Sequence, residues 1–263
     1  LNVAALIEMR DICKYFGAVT ALDRVSLTLH EGEVLGVVGD NGAGKSTLMK
    51  VLSGVYQHDT GEILWRGKPV RFANPGDSRR LGIEMVYQDL GLAGNMTIAE
   101  NVFLGREPVK RYLGGLIRLI DRPAMLRQTR EHLDRLHITV KHIEQRTEQL
   151  SGGQRQAVAI ARATAFNTRV VIMDEPTAAL AIKEVRKVLD LIRSLREHHV
   201  AVILISHRMD DIFYVCDRVM ALYHGRNFAE APIGAVQPDD VVGWIMGAQT
   251  GQPTEQNHAA DPG

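Results

Sequence analysis

The sequence of 263 residues predicts an α/β protein organised around a largely parallel sheet. Two observations carry that reading. The apolar run Val34-Leu35-Gly36-Val37-Val38 leads straight into a glycine-rich turn and then a helix with Leu48, Val51 and Leu52 on its apolar side. From residue 169 onward, short apolar runs alternate with amphipathic stretches of helical period, the pattern of parallel strands covered by helices. Ligands of such sheets sit outside the carboxyl ends of the strands.

The elements follow in order. Residues 6–10 and 25–30 read as strands before a turn at Glu31-Gly32, so the first part of the chain is an N-terminal antiparallel β subdomain. Gly54 stops the first helix, and short strands follow at 63–65 and 70–72. Asn74-Pro75-Gly76-Asp77 opens a short helix that Gly82 closes, and 83–88 reads as a buried strand. From about 89 to 166 the character becomes helical, an inserted α-helical subdomain in which Met125, Leu126, Thr129, Leu133 and Leu136 share one face. Strands at 170–174, 200–206 and 218–223 then flank a helix at 183–197 striped by Val185, Val188, Leu189, Ile192 and Leu195. The polar, proline-containing stretch 248–263 has no periodicity and reads as a disordered tail.

Composition narrows the function classes. The 31 basic and 31 acidic residues cancel, which argues against a nucleic-acid binder. Two cysteines, Cys13 and Cys216, are too few for a metal site; Cys216 falls on an apolar stripe with Met209, Ile212 and Phe213 and reads as a buried reduced thiol. The run Val200-Ala201-Val202-Ile203-Leu204-Ile205 fits a buried strand and is far too short to span a membrane. No secretory leader opens the sequence, so the cytoplasm is the expected compartment, and Leu1 in place of Met suggests a trimmed or differently initiated start.

The glycine-rich turn is Gly39-Asp40-Asn41-Gly42-Ala43-Gly44-Lys45-Ser46-Thr47, a phosphate-binding loop. Its glycines let successive N–H groups point inward at a helix N-terminus, Lys45 brings a compact charge for the β- and γ-phosphates, and the Ser46 hydroxyl suits Mg²⁺. Asp40, Asn41, Ala43 and Thr47 would act through their backbone. The strand Val170-Val171-Ile172-Met173 delivers Asp174 and Glu175 to the same sheet edge. Asp174 there can hold Mg²⁺ directly or through water, and Glu175 can orient or polarise an attacking water. Leu150-Ser151-Gly152-Gly153-Gln154 opens a helix with bare N–H groups, a second anion-binding surface, although Ser151 as a plain N-cap is the competing reading.

With these three motifs the sequence resembles the ATP-binding-cassette (ABC) ATPases over about residues 6–247. The resemblance implies a P-loop NTPase core, ATP and Mg²⁺ as ligands, and a head-to-tail pair of copies. In that pair Ser151, Gly152, Gly153 and Gln154 of one copy close over the γ-phosphate held by the other. It also implies that Phe16 stacks on adenine (Tyr15 competing for that role), that Gln88 reaches the metal and water, and that His207 contacts the γ-phosphate. Lys45, Gln88, Glu175 and His207 are then the catalytic set, and Ser46, Gln88 and Asp174 the metal set. One departure stands out. Ala181 occupies a position where the family usually has Asp, which bears on communication between the two sites.

Asn101-Val102-Phe103-Leu104-Gly105-Arg106-Glu107 and the stretch around Asp174 look most like monosaccharide importers of the fructose, ribose and xylose type. The implied partners are polytopic membrane permease subunits, a second copy of the chain and, indirectly, a periplasmic sugar-binding protein, with no nucleic acid. The implied location is the cytoplasmic face of the bacterial inner membrane. Three alternatives remain: a soluble ABC ATPase acting on ribosomes or DNA, a regulatory module that closes on ATP while hydrolysing it weakly, and an exporter subunit, since the direction of transport is not written in a cassette.

Overall fold

The computed structural model describes residues 5–112 and 116–248. The chain opens with a long hairpin, β1 (Ala5–Phe16) against β2 (Val19–His30), to which β4 (Thr60–Trp65) and β5 (Lys68–Val70) add in the order β2-β1-β4-β5. All pairings in this sheet are antiparallel. Both hairpin strands outrun the 6–10 and 25–30 segments expected from periodicity. The reason is a bulge: Asp11 and Arg24 adopt left-handed backbone (φ 49° and 51°), register shifts between Met9 and Ile12, and the alternation of apolar residues breaks there. The piece expected at 70–72 moves forward to β5, and Phe72 goes into the core.

The second sheet has six strands in the order β12-β11-β3-β10-β9-β6. They are β3 (Val34–Val38), β6 (Ile83–Val86), β9 (Val170–Asp174), β10 (Ala201–Ile205), β11 (Arg218–Tyr223) and β12 (Arg226–Pro232). β6, β9, β10, β3 and β11 run parallel; β12 is an antiparallel edge. Alternation along each strand splits the core in two. Leu35, Val37, Ile172, Ile203 and Met220 face α1 (Lys45–Leu52) and the antiparallel layer. Val34, Val171, Met173, Leu204 and Val219 face the helices on the other side. Both faces are covered, so these strands read as continuous apolar runs.

Arg218 pins the two layers together. Its guanidinium contacts Glu33 at 2.8 Å, the Thr28 carbonyl at 2.5 Å and Glu230.

After α2 (Pro75–Arg80), capped by a reciprocal Asn74–Asp77 box, and β6 comes the inserted segment. It contains α3 (Ile98–Phe103), α4 (Arg122–Arg135) and α5 (Gly152–Thr164). The expectation of a purely helical segment at 89–166 needs correction, because β7 (Val109–Tyr112) and β8 (Ile117–Ile120) form an antiparallel hairpin between α3 and α4. Its residues are exposed, so no buried face imposed a period to read. Asn101 of α3 is fully buried and satisfied. Its side chain accepts from the Ala93 N–H at 2.8 Å and donates to the Ala93 and Thr97 carbonyls at 3.0 Å, stapling the 93–97 turn.

The chain continues through α6 (Ile182–Glu197), α7 (Met209–Val215) and α8 (Pro238–Ile245). α6 buries the expected Val185, Val188, Leu189, Ile192 and Leu195. β12 and α8 were not anticipated; α8 packs Val241 and Trp244 into the core. Cys216 is buried at the position after α7, where burial pushes its thiol pKa up. The tail expected at 248–263 lies, from residue 249, outside the described residues.

Candidate functional site

Strand register brings the motifs to one edge. Val37 of β3 is level with Ile205 of β10, and Ile205 is level with Asp174 of β9. The glycine loop, Ser206-His207 and Asp174-Glu175 therefore leave three neighbouring parallel strands at the same carboxyl end.

The loop wraps from β3 into α1 through Gly44, the N-cap residue, with φ 101°. A Cβ there would sit 2.8 Å from the Ala21 carbonyl oxygen, so only glycine fits both the dihedral and the space. No side chain caps α1, which leaves its first N–H groups directed at the loop's concave side. Lys45 is buried at 6 % exposure and its ammonium donates to the carbonyls of Gly39 at 2.7 Å and Asp40 at 2.9 Å. Burial holds the Lys45 pKa below its ordinary value, and the charges of Glu175, Asp174 and Asp40 pull the other way.

Asp174 lies next to this ammonium. Burial raises its pKa, the neighbouring Glu175 charge adds to the rise, and Lys45 and a hydrogen bond from the Ser46 hydroxyl oppose it. A hydroxyl and a carboxylate oxygen thus meet at the foot of the loop, a donor set suited to a hard cation.

Glu175 has left-handed backbone (φ 50°), uncommon outside glycine, and its N–H is anchored to the Ile205 carbonyl at 2.9 Å. Its carboxylate meets His207 Nε2 at 2.7 Å. Both side chains stay partly open to solvent, so water can reach the pair. The kink at Glu175 follows from chain direction: β9 ends at Asp174 and the chain must turn at once to keep both carboxylates at the edge.

A third contact lies behind this pair, and sequence reasoning missed it. The Thr177 hydroxyl donates to Asp211, both fully buried, and Arg208 Nε lies 3.5 Å from the same carboxylate. The loop after Glu175 is thereby tied to the segment after His207. Asp211 sits in Met209-Asp210-Asp211-Ile212, which resembles an ordinary acidic helix start; only its spacing from Ile212 and Val215 hints that it faces inward.

Phe16 closes β1, half exposed, edge-on to Tyr56 with centroids 5.2 Å apart and with the Lys14 ammonium 5.4 Å from its ring. Tyr15 is equally exposed, its N–H bound by Asp59 at 2.7 Å. Gln88 lies in an exposed bend after β6.

The Ser151–Gln154 turn opens α5. Ser151 is its N-cap: the Ser151 hydroxyl accepts from the Gln154 N–H at 3.3 Å, and the Gln154 side chain accepts from the Ser151 N–H at 3.1 Å. The turn packs on the start of α6, where a Cβ on Gly153 would come within 2.8 Å of Glu184 Cβ. A cleft of about 440 Å³ lies behind it, lined by Ser151, Gln154, Glu184 and Leu191; no residue of the glycine loop borders it. Ala181 caps α6 without a side-chain hydrogen bond.

Residues 22–178 match the ABC transporter family. The chain is 46 % identical over 246 residues to the fructose import ATP-binding protein FrcA of Rhizobium meliloti, covering 93 % of this chain and 95 % of that protein. It is 45 % identical over 221 residues to the xylose/arabinose import ATP-binding protein XylG of Sulfolobus acidocaldarius, covering 84 % and 86 %. Identity to a ribose import ATP-binding protein RbsA of Chromobacterium violaceum is 41 % over 254 residues, 97 % of this chain but 49 % of that one. The chain therefore spans about half the length of the ribose relative. Among solved structures, a nucleotide-free ATP-binding cassette from an ABC transporter superposes with TM-score 0.76 at 28 % identity, covering 87 % of this chain and 91 % of the other. The dimeric structure of MJ0796, a bacterial ABC transporter cassette, gives 0.70 at 26 %, covering 86 % and 98 %.

Proposed function

The chain belongs to the ABC transporter ATP-binding family, and from that premise we propose that it is the ATP-hydrolysing subunit of a monosaccharide importer working through separate membrane subunits. The observation that carries the enzymatic part is the Glu175–His207 contact of 2.7 Å, at the strand edge it shares with the Lys45 loop. The sugar-importer part rests on the fructose and xylose/arabinose relatives, which this chain matches over most of their length. No helix among the described residues is long and apolar enough to cross a membrane, consistent with a peripheral subunit that borrows its membrane passage from a permease.

Residues 39–47 hold the triphosphate, the loop N–H groups and Lys45 neutralising the β- and γ-phosphates. Ser46 and Asp174 fit Mg²⁺, with Gln88 completing the set; the ion would supply charge neutralisation at the phosphate oxygens. Glu175 orients the attacking water and takes up its proton, and His207 holds Glu175 in place while facing the γ-phosphate. Phe16 supplies a π-face for adenine. Ser151–Gln154 of a second copy completes the grip, so that ATP favours the closed pair and hydrolysis releases it. Residues 6–247 form the ATP-binding domain, about 89–166 being the inserted subdomain that carries Ser151–Gln154, and the segment around 89–145 grips a cytoplasmic helix of the membrane partner.

Glu175→Gln tests the assignment. ATP binding should persist while steady-state phosphate release, measured with the membrane partner, falls at least about 100-fold. Undiminished turnover in that variant removes Glu175 from its role. Tight ATP binding by the unaltered chain with zero phosphate release, partner present, would favour a regulatory module.

A further inference from the structure

The β7–β8 hairpin is the least accounted-for part of the molecule. It forms a sheet of its own two strands, away from the other two sheets. Its apolar residues are largely in solvent: Leu116 is 86 % exposed, Leu119 56 %, Ile120 55 % and Tyr112 49 %. Between Val109 and Ile120 the sequence holds Lys110, Arg111 and Arg118 and no acidic residue, in a chain whose overall charge is zero.

The register sorts these side chains. Val109 is paired with Ile120 and Arg111 with Arg118, which puts these four on one face; Lys110 with Leu119 and Tyr112 with Ile117 share the other. Lys110 reaches Asp121 at 3.3 Å. Arg111 and Arg118 have no acidic partner among the described residues, although they stand directly opposite each other, an arrangement that costs stability until an anion screens it.

We propose that this hairpin seats the chain tip first on an anionic lipid surface, with Leu116 and Ile117 at the acyl boundary and Arg111 and Arg118, one pair further from the tip, among the headgroup phosphates. A protein groove covers one face of a hairpin, whereas here apolar residues are exposed on both faces and at the tip, as a surrounding fluid requires. Cations beside them and a tyrosine at the same level are the composition of interfacial anchors. Depth is limited: a two-stranded hairpin has unpaired backbone groups along its outer edges, which keeps it in the headgroup layer. Such a contact would orient the cassette beneath its permease. The proposal rests on the membrane-associated reading above, yet its test does not depend on ATPase activity.

The experiment is flotation of the purified full chain with phosphatidylcholine vesicles containing increasing phosphatidylglycerol. Binding should grow with the anionic fraction and drop in high salt. Each cation at such a surface is worth about fivefold in partitioning, so Arg111→Ala/Arg118→Ala should lower it roughly 25-fold. Leu116→Ser should weaken binding even in high salt, and Arg127→Ala/Arg130→Ala, on the exposed side of α4, should leave it unchanged. Retained ATP binding in each variant shows the fold intact; loss of ATP binding in the unaltered chain would sink the functional reading while leaving the lipid result standing. Binding independent of phosphatidylglycerol, equal loss in the α4 control, or association only with detergent-solubilised permease would each overturn the proposal, the last in favour of an acidic protein partner.

Discussion

The glycine loop and the Ser151–Gln154 turn are both glycine-rich entries into helices, yet they treat the first N–H groups in opposite ways. α1 begins at Gly44 with no side-chain cap, and its donors have no internal competitor. α5 begins with Ser151 and Gln154 closing on each other in a reciprocal box. On the proposed function the loop is an anion site within a single chain. The turn has two donors, the N–H groups of Ser151 and Gln154, taken by its own side chains, and keeps only those of Gly152 and Gly153 for a ligand. A phosphate already bound and presented by a second copy can accept from those two and from the Ser151 hydroxyl, whereas a free anion in solution finds few donors there to hold it. On the proposed function, Ser151 as a helix cap and Ser151 as part of the grip on a second copy's phosphate are then compatible roles of one turn.

The largest expected effect separates the two regions outright. Lys45→Ala removes a charge-assisted contact and should weaken ATP binding to the isolated chain about 100-fold in a fluorescent-nucleotide titration. Ser151→Ala should leave that affinity within about twofold, yet cut phosphate release by the assembled transporter at least about tenfold. A matching loss of affinity in both variants would break the comparison. Asp211→Ala leaves the Thr177 hydroxyl without an acceptor in a buried place, so stability should fall by about 1–3 kcal/mol and turnover several-fold. Asp211→Asn retains an acceptor and should recover most of both, as calorimetry and phosphate release would register. The Ser151→Ala cap loss should also lower the melting temperature, by about 2–4 °C.

The smallest effect concerns Asp174. Burial raises its pKa above the ordinary 3.8, so its ionised form costs folding stability once the pH exceeds the folded value. Below the unfolded value both states are protonated and the cost is gone. Asp174→Asn should therefore raise the melting temperature slightly at pH 7, with the gain shrinking as the pH falls through the acidic range. A gain that grows on acidification would contradict the assigned environment.

The sheet and its edge were legible because they obey strong local rules. Apolar runs such as 170–174 and 201–205 must be covered on both faces, and a lysine after Gly-Ala-Gly at a helix start has few other uses. The long hairpin was only half legible, since bulges at Asp11 and Arg24 break the alternation that a strand reading relies on. β7–β8 was illegible for the opposite reason: with no buried face, nothing forces a period on its residues. At the site, the loop and Asp174-Glu175 could be named from the residues themselves, and His207 from the resemblance to the ABC family. The Thr177–Asp211 tie could not, because it joins residues 34 apart through a buried side-chain contact that leaves no local pattern.

The resting place of Lys45 has a further consequence. Its ammonium leans on the Gly39 and Asp40 carbonyls, which take two of its three donors and leave the third for a phosphate. A phosphate oxygen can accept from that third donor without displacing either backbone oxygen. The lysine is thereby a fixed post whose stem is already immobilised, so little side-chain freedom is left to lose when a polyphosphate docks.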